Sequence, residues 1–187
     1  MIYIDDHLED FDLQQAIAAV SPQRRAQALR YRHERDQRLC LAAYRLLQHA
    51  LSQEYGIHDL PQFTYTANGK PLLACHPDIH FSLSHCREAV AVAVSDRPIG
   101  IDVETLDHYS EDVARQVMND VEMRRILASP HPDITFTQLW TMKESLFKLT
   151  DDAGHLKTVN LLDDVGDYRF TVVIHPRYVY TTCSAAH

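Results

Sequence analysis

The chain has 187 residues, 45% of them apolar, with 18 Lys plus Arg against 26 Asp plus Glu and a formal net charge of −8. That length accommodates one domain or two small halves around a real core, and the acidic balance argues against a nonspecific nucleic-acid binder. No low-complexity tract, no apolar run of membrane-spanning length and no basic leader (the start reads MIYIDDHLED) leave an ordered, soluble, cytoplasmic protein as the expectation, with no membrane partner; Cys40, Cys75, Cys86 and Cys183 are scattered without C-x-x-C or disulfide spacing.

The N-terminal third reads helical. Ser21-Pro22 supplies an N-cap followed by Pro at the first helical position. The segment from Ser21 to Arg38 then carries six Arg (24, 25, 30, 32, 35 and 38) against Glu34 and Asp36. Such a stretch is either a solvated helical face or a local site for a phosphate-bearing ligand or an acidic partner, because guanidinium binds phosphate bidentately. Leu39 to Leu51, LCLAAYRLLQHAL, has apolar residues at helical spacing and is a predicted core helix.

Beyond Leu60-Pro61, FTYTANGKPLL alternates and turns at Asn68-Gly69, a hairpin signal. Three short strands follow in close order: IHFSLSH, AVAVAVS and IGIDVE, with Asp96-Arg97-Pro98 between the last two. Ser110 to Leu127 returns to a helical pattern, Pro130 and Pro132 mark a loop, and Asp133 to Thr150 is a predicted helix. The tail, YRFTVVIHPRYVYTTCSA, reads as a closing hairpin with Pro176 near its turn. Helices and strands come in blocks, not in alternating βαβ units, which favours an α+β fold. The make-up suggests two similar halves meeting near Pro98.

In GIDVE, Gly100 to Glu104, side chains alternate, so Asp102 and Glu104 share a face opposite Ile101 and Val103. Two carboxylates there are either a wet strand face or a pair bridged by a cation. Glu144 and Lys148 in LWTMKESLFKL raise the same choice: an i,i+4 surface pair, or residues turned toward a site. Magnesium takes oxygen ligands and shares them with phosphate and water, so Asp102, Glu104 and Glu144 would make a suitable half-cage. Lys148, His85 and Lys70 are auxiliary groups able to meet a phosphate. No histidine pattern suits zinc, and neither a Walker loop nor G-x-G-x-x-G is present.

Taken in order, NGKP (68–71), FSLSH (81–85), IGIDVE (99–104) and LWTMKESLFK (139–148) resemble the 4′-phosphopantetheinyl transferases, specifically the longer, surfactin-synthetase-activating type. The resemblance extends upstream to SPQRRAQALRYRHERD. It implies an α+β chain of two pseudo-symmetric halves, here 1–97 and 98–187, with coenzyme A in the cleft between them, sufficient as a monomer. It implies Mg²⁺-dependent transfer of the 4′-phosphopantetheine arm of coenzyme A to a serine of an apo acyl or peptidyl carrier protein, releasing adenosine 3′,5′-bisphosphate. By motif position, Asp102, Glu104 and Glu144 would hold Mg²⁺, with Glu144, or a water it orients, as base. Lys148 would contact the attacked phosphate. Ser84 and His85 would touch phosphates of coenzyme A, Arg24 and Arg25 its 3′-phosphate, and Lys70 with Pro71 would frame its adenine. The register places Leu39 where that type has a coenzyme-A-contacting Arg, with Arg38 one residue early. Rival readings are another Mg²⁺-dependent enzyme of nucleotides or pyrophosphate, and an inert relative that binds coenzyme A or carrier proteins without catalysis.

Overall fold

The structure, a computed structural model, describes residues 1–8, 12–152, 158–163 and 165–186. In chain order its first elements are β1 (Ile2–Asp5), α1 (Leu13–Ala18), α2 (Pro22–Ala28), α3 (Glu34–Tyr55), β2 (Phe63–Tyr65), β3 (Pro71–Leu73), β4 (His80–His85) and β5 (Val90–Ser95). There follow β6 (Ile99–Thr105), a 3-10 turn, α4 (Glu111–Val117), α5 (Asp120–Leu127), α6 (Pro132–Thr150), β7 (Tyr168–Ile174) and β8 (Tyr178–Ala185). The architecture is α+β.

A strand written AVAVAV has no polar face, so both of its faces must be covered. β5 is covered twice. Its valines, Val90, Val92 and Val94, pack on α3 residues such as Leu39, Ala43, Leu41, Tyr44 and Leu47, while Ala89, Ala91 and Ala93 meet Ile101, Val103 and Tyr178. The small alanines face the second sheet and the larger valines face the helix. β5 is the middle strand of an antiparallel sheet ordered β1-β5-β4, and a second antiparallel sheet is ordered β6-β8-β7. Each three-stranded sheet therefore has a long helix against it, α3 on the first and α6 on the second.

β5 and β6 are close in sequence yet lie in different sheets. β6 takes its ladder from β8, from Ile99↔Ser184 to Thr105↔Tyr178. The turn at 96–98 thus passes the chain from one sheet to the other, leaving β4 and β6 as the two edges that face each other.

α6 lies on β6 with almost no gap. A methyl group at Gly100 would stand 1.9 Å from the Ser145 carbonyl oxygen and 2.9 Å from the Leu149 nitrogen, so only glycine permits this approach. Below it, Thr141 and Thr181 hydroxyls share a 2.7 Å hydrogen bond between α6 and β8. Leu139, Leu146, Leu149 and Cys183 complete the packing.

Several boundaries differ from the sequence expectation, each for a local reason. β1 was not anticipated; it gains order by pairing along β5 from Ile2↔Ala93 to Asp5↔Val90. The expected helix over 110–127 is two, because Met118 is extended (φ −100°, ψ 149°) and Asn119 caps α5 in a capping box with Glu122. Pro132 is not in the loop but at the start of α6, where its missing N–H costs nothing. The Asn68-Gly69 turn is wider than a two-residue hairpin: β2 and β3 close at Tyr65↔Pro71, Gly69 N–H donates to Thr66 O at 3.1 Å, and Gly69 takes φ +90°.

Replacing Gly100 by Ala should destabilise the chain by at least about 2 kcal/mol, since α6 or β6 must retreat. Urea unfolding of Gly100→Ala checks this; a change within about 0.5 kcal/mol would show that the helix and strand are not in such contact.

Candidate functional site

The facing edges β4 and β6 are joined by side chains, not by a backbone ladder. Ser82 Oγ accepts a hydrogen bond from Ile101 N–H at 3.0 Å, and Ser84 Oγ donates to Asp102 Oδ1 at 2.7 Å. The Ser-x-Ser spacing of β4 places both hydroxyls on the same side of that strand, against β6. From α6, Lys148 Nζ reaches the same Asp102 Oδ1 at 2.6 Å and Ser84 Oγ at 2.9 Å. Asp102 is 2% exposed. Its other oxygen, Oδ2, is buried with no hydrogen-bond partner.

Two further carboxylates feel Asp102. Burial, then the Asp102 charge, pushes Glu104 up to about 7, with Glu144 adding to the rise and the Trp140 indole N–H and Lys148 opposing it. Burial and Asp102 raise Glu144 also, with Lys148 opposing. Asp102, Glu104 and Glu144, the three acids expected to share a site, thus act on one another electrostatically. Among the described residues, however, no three His, Cys, Asp or Glu side chains are gathered closely enough to ligate one ion as they stand. The charge opposing Asp102 is the Lys148 ammonium. An orphaned buried carboxylate oxygen beside two mutually repelling carboxylates is a donor set that fits a hard divalent cation.

The other expected site residues divide. His85 ends β4 half-buried; burial, then the charges of Lys148 and Arg24, lower its pKa, so its protonated form is disfavoured beside those two cations. Lys70 lines a cavity of about 250 Å³ with Pro71, Phe81, Leu83, Phe147 and Lys148. Its ammonium donates to Leu149 O at 2.9 Å, at the C-terminal end of α6, and Asn68 Nδ2 donates to Asp151 O at 2.7 Å. A second cavity, about 300 Å³, lies beside Glu104 and Trp140 and is walled by Val113, Val117 and Phe136.

Arg24 and Arg25 are placed differently from a free phosphate-binding pair. Arg24 is 5% exposed and donates to Cys40 O through Nε at 3.2 Å and Nη2 at 2.6 Å, and to Gln27 through Nη1. It staples α2 to α3. Arg25 is exposed and donates to Ile17 O at 2.9 Å. Leu39 is core, and Arg38 pairs with Glu34 at 2.7 Å.

Lys143, next to Glu144 on α6, is not a solvated surface charge. It is 1% exposed and forms a 2.8 Å ion pair with Glu122, a residue not singled out beforehand. Glu122 also accepts from Asn119 N–H and Leu161 N–H, and Lys143 donates to Val159 O. The capping pattern N-x-x-E was the one available signal for Glu122.

Residues 98–177 match a family model described as the 4′-phosphopantetheinyl transferase superfamily, and residues 9–97 match one described as 4′-phosphopantetheinyl transferase, N-terminal. A 4′-phosphopantetheinyl transferase of Bacillus subtilis is 32% identical over 151 residues, which are 79% of this chain and 67% of that protein. The chain belongs to the 4′-phosphopantetheinyl transferase family. The transferase is also 31% identical over 150 residues to 4′-phosphopantetheinyl transferase Sfp of Bacillus subtilis strain 168, covering 79% of this chain and 67% of Sfp. Against AcpT of Escherichia coli K12 it is 30% identical over 117 residues, 58% of this chain and 55% of that one. No helix among the described residues is long and apolar enough to cross a membrane.

Because the Glu104 pKa in the folded chain lies above its ordinary value of 4.5, the folded chain holds a proton that the unfolded chain has released. Stability without divalent cations therefore falls as pH rises from about 4.5 to about 7, by at most about 3 kcal/mol from this group. Glu104→Gln should leave stability nearly unchanged at acidic pH and raise it at alkaline pH in chelator, read by urea unfolding. Lys143→Met should cost about 3 to 5 kcal/mol by stranding Glu122, and Glu122→Leu in the same chain should recover most of it. A double variant as unstable as the single one would show that the pair is not the cause.

Proposed function

We propose that the chain transfers the 4′-phosphopantetheine arm of coenzyme A to a serine hydroxyl of an apo carrier protein, in a Mg²⁺-dependent reaction that releases adenosine 3′,5′-bisphosphate. The observation that carries this reading is the Asp102–Lys148–Ser84 cluster with Glu104 and Glu144 beside it, set in a chain of this family. Residues 1–97 and 98–187 are read as the two halves, and the seam between β4 and β6 as the cleft.

Roles follow from position and charge. Asp102, Glu104 and Glu144 are the residues that would hold Mg²⁺, which when bound supplies charge neutralisation on the pyrophosphate. Lys148 is the cation for the attacked phosphate, the one next to pantetheine. His85 and Ser84 serve phosphates of coenzyme A at the cationic end, where Arg24 adds its field. Lys70 and Pro71 wall the cavity suited to adenine. Lys148 lines that cavity and Glu104 lines the second one, so the reacting phosphate falls between them and the arm would leave toward Trp140.

Phosphoryl transfer asks the protein mainly for position and for answering charge. The serine must also lose a proton to a base within hydrogen-bond reach. Glu144 is the candidate: burial and the Asp102 charge raise its pKa, which strengthens it as a base, and it can act directly or through a water. The exposed Arg25, Arg30, Arg32 and Arg35 offer an acidic carrier a local positive face on an acidic chain. The expected setting is the cytoplasm, with the monomer as the working unit.

Intact-mass spectrometry of an apo carrier protein incubated with the chain, coenzyme A and Mg²⁺ tests the reading. A gain of one phosphopantetheine mass is expected, lost on chelation, and slowed at least about 100-fold in Glu144→Gln and in Lys148→Ala. Coenzyme A binding without any gain across a panel of carriers would overturn the transferase activity proposed here.

A further inference from the structure

Ser84 and Lys148, the two groups assigned to phosphates of coenzyme A, are both turned onto Asp102. A serine hydroxyl has one proton. Ser84 spends it on Asp102 Oδ1 at 2.7 Å, so it cannot donate to a phosphate without leaving that carboxylate. Lys148 donates to Asp102 Oδ1 at 2.6 Å and to Ser84 Oγ at 2.9 Å, while Asp102 Oδ2 has no partner. The Asp102 side chain is 3% exposed, held between Ser84 of β4 and α6; the Lys148 side chain is 25% exposed on a four-carbon stem. Of the two, Lys148 is the one free to move.

Resting on the function proposed above, we infer that Lys148 is parked on Asp102 by Ser84 in the cation-free chain, and is handed to the substrate phosphate when a divalent cation takes its place on that carboxylate. Ser84 is the positioning residue of this exchange. An ammonium and a dication on one carboxylate repel, and the coenzyme A pyrophosphate offers the displaced ammonium a new counter-charge. Cation and coenzyme A would therefore favour each other twice: once through the attraction of their own charges, and once through Lys148. The second route belongs to this chain's own side chains and is removable by mutation.

Trp140 is the only tryptophan of the chain and lines the same cavity as Glu104, so its fluorescence reports on the site. Mg²⁺ is titrated into the full chain, followed by Trp140 fluorescence and by calorimetry, with and without saturating coenzyme A. The wild type is compared with Lys148→Met and Ser84→Ala. Without coenzyme A, Lys148→Met should bind Mg²⁺ ~10-fold tighter and Ser84→Ala a few-fold tighter, because the parked ammonium is gone or loosened. The factor by which coenzyme A tightens Mg²⁺ should fall at least ~3-fold in Lys148→Met. An equal factor in wild type and Lys148→Met would overturn the exchange: Lys148 then only repels the ion. Unchanged Mg²⁺ affinity in Ser84→Ala with weakened coenzyme A binding would overturn the role of Ser84 and make it a plain phosphate contact. Failure of the wild type to bind either Mg²⁺ or coenzyme A would overturn the site reading itself, and the exchange with it.

Discussion

A carboxylate with 2% of its surface in solvent must have its charge answered by protein, and Asp102 is answered from both sides of the seam. β4 supplies a hydroxyl and α6 supplies an ammonium. Neither could arrive without two concessions to size. Gly100 gives up its side chain so that α6 can lie directly on β6, and β4 carries serines where bulk would hold the two edges apart. The alternation of β6 then does the rest: Ile101 and Val103 enter the core between the sheets while Asp102 and Glu104 turn to the opposite face. The acids of the candidate site and the packing of the two sheets are thus properties of one strand.

Much of this was legible because it is local. The D-x-E spacing fixes a shared face whatever else the strand does. AVAVAVS reads as a strand whichever sheet it joins. The α6 pattern from Asp133 to Thr150 reads as a helix from sequence alone, one residue short of its true start at Pro132. The closing hairpin around Pro176 followed from alternation and a turn residue, and His175 N–H to Tyr178 O at 2.8 Å closes it.

What was not legible is non-local. Nothing in IGIDVE says that its ladder partner lies some eighty residues on, in β8, and not in the neighbouring β5; sheet membership depends on which pairing buries the alanine face. β1 is four residues long and polar at its end, and owes its order to β5. Arg24 in an Arg-rich stretch looks like a ligand-binding residue, yet its guanidinium is taken by the Cys40 carbonyl on α3, a partner sixteen residues away that composition does not reveal. The break between α4 and α5 is a different case. Asn119 and Glu122 spell a capping box, but the apolar period running through 110–127 masked it.

α6 carries two lysine–carboxylate pairs, and their contrast separates structure from site. Lys143 and Glu122 are both fully buried, and each also bonds backbone: Asn119 and Leu161 N–H for the acid, Val159 O for the lysine. Such a pair has no function left to perform except to fix α5, α6 and the 159–161 segment together, and its closure makes it rigid. Lys148 and Asp102 are left open. One oxygen of the acid is crowded by two donors, the other has none, and two more acids beside it have raised pKa values. A fold optimised only for stability would not keep three carboxylates and an orphaned oxygen at its central seam. They persist together where a bound charge, absent from the chain itself, is needed to satisfy them, and that is the physical ground for placing the chemistry here and not at Lys143.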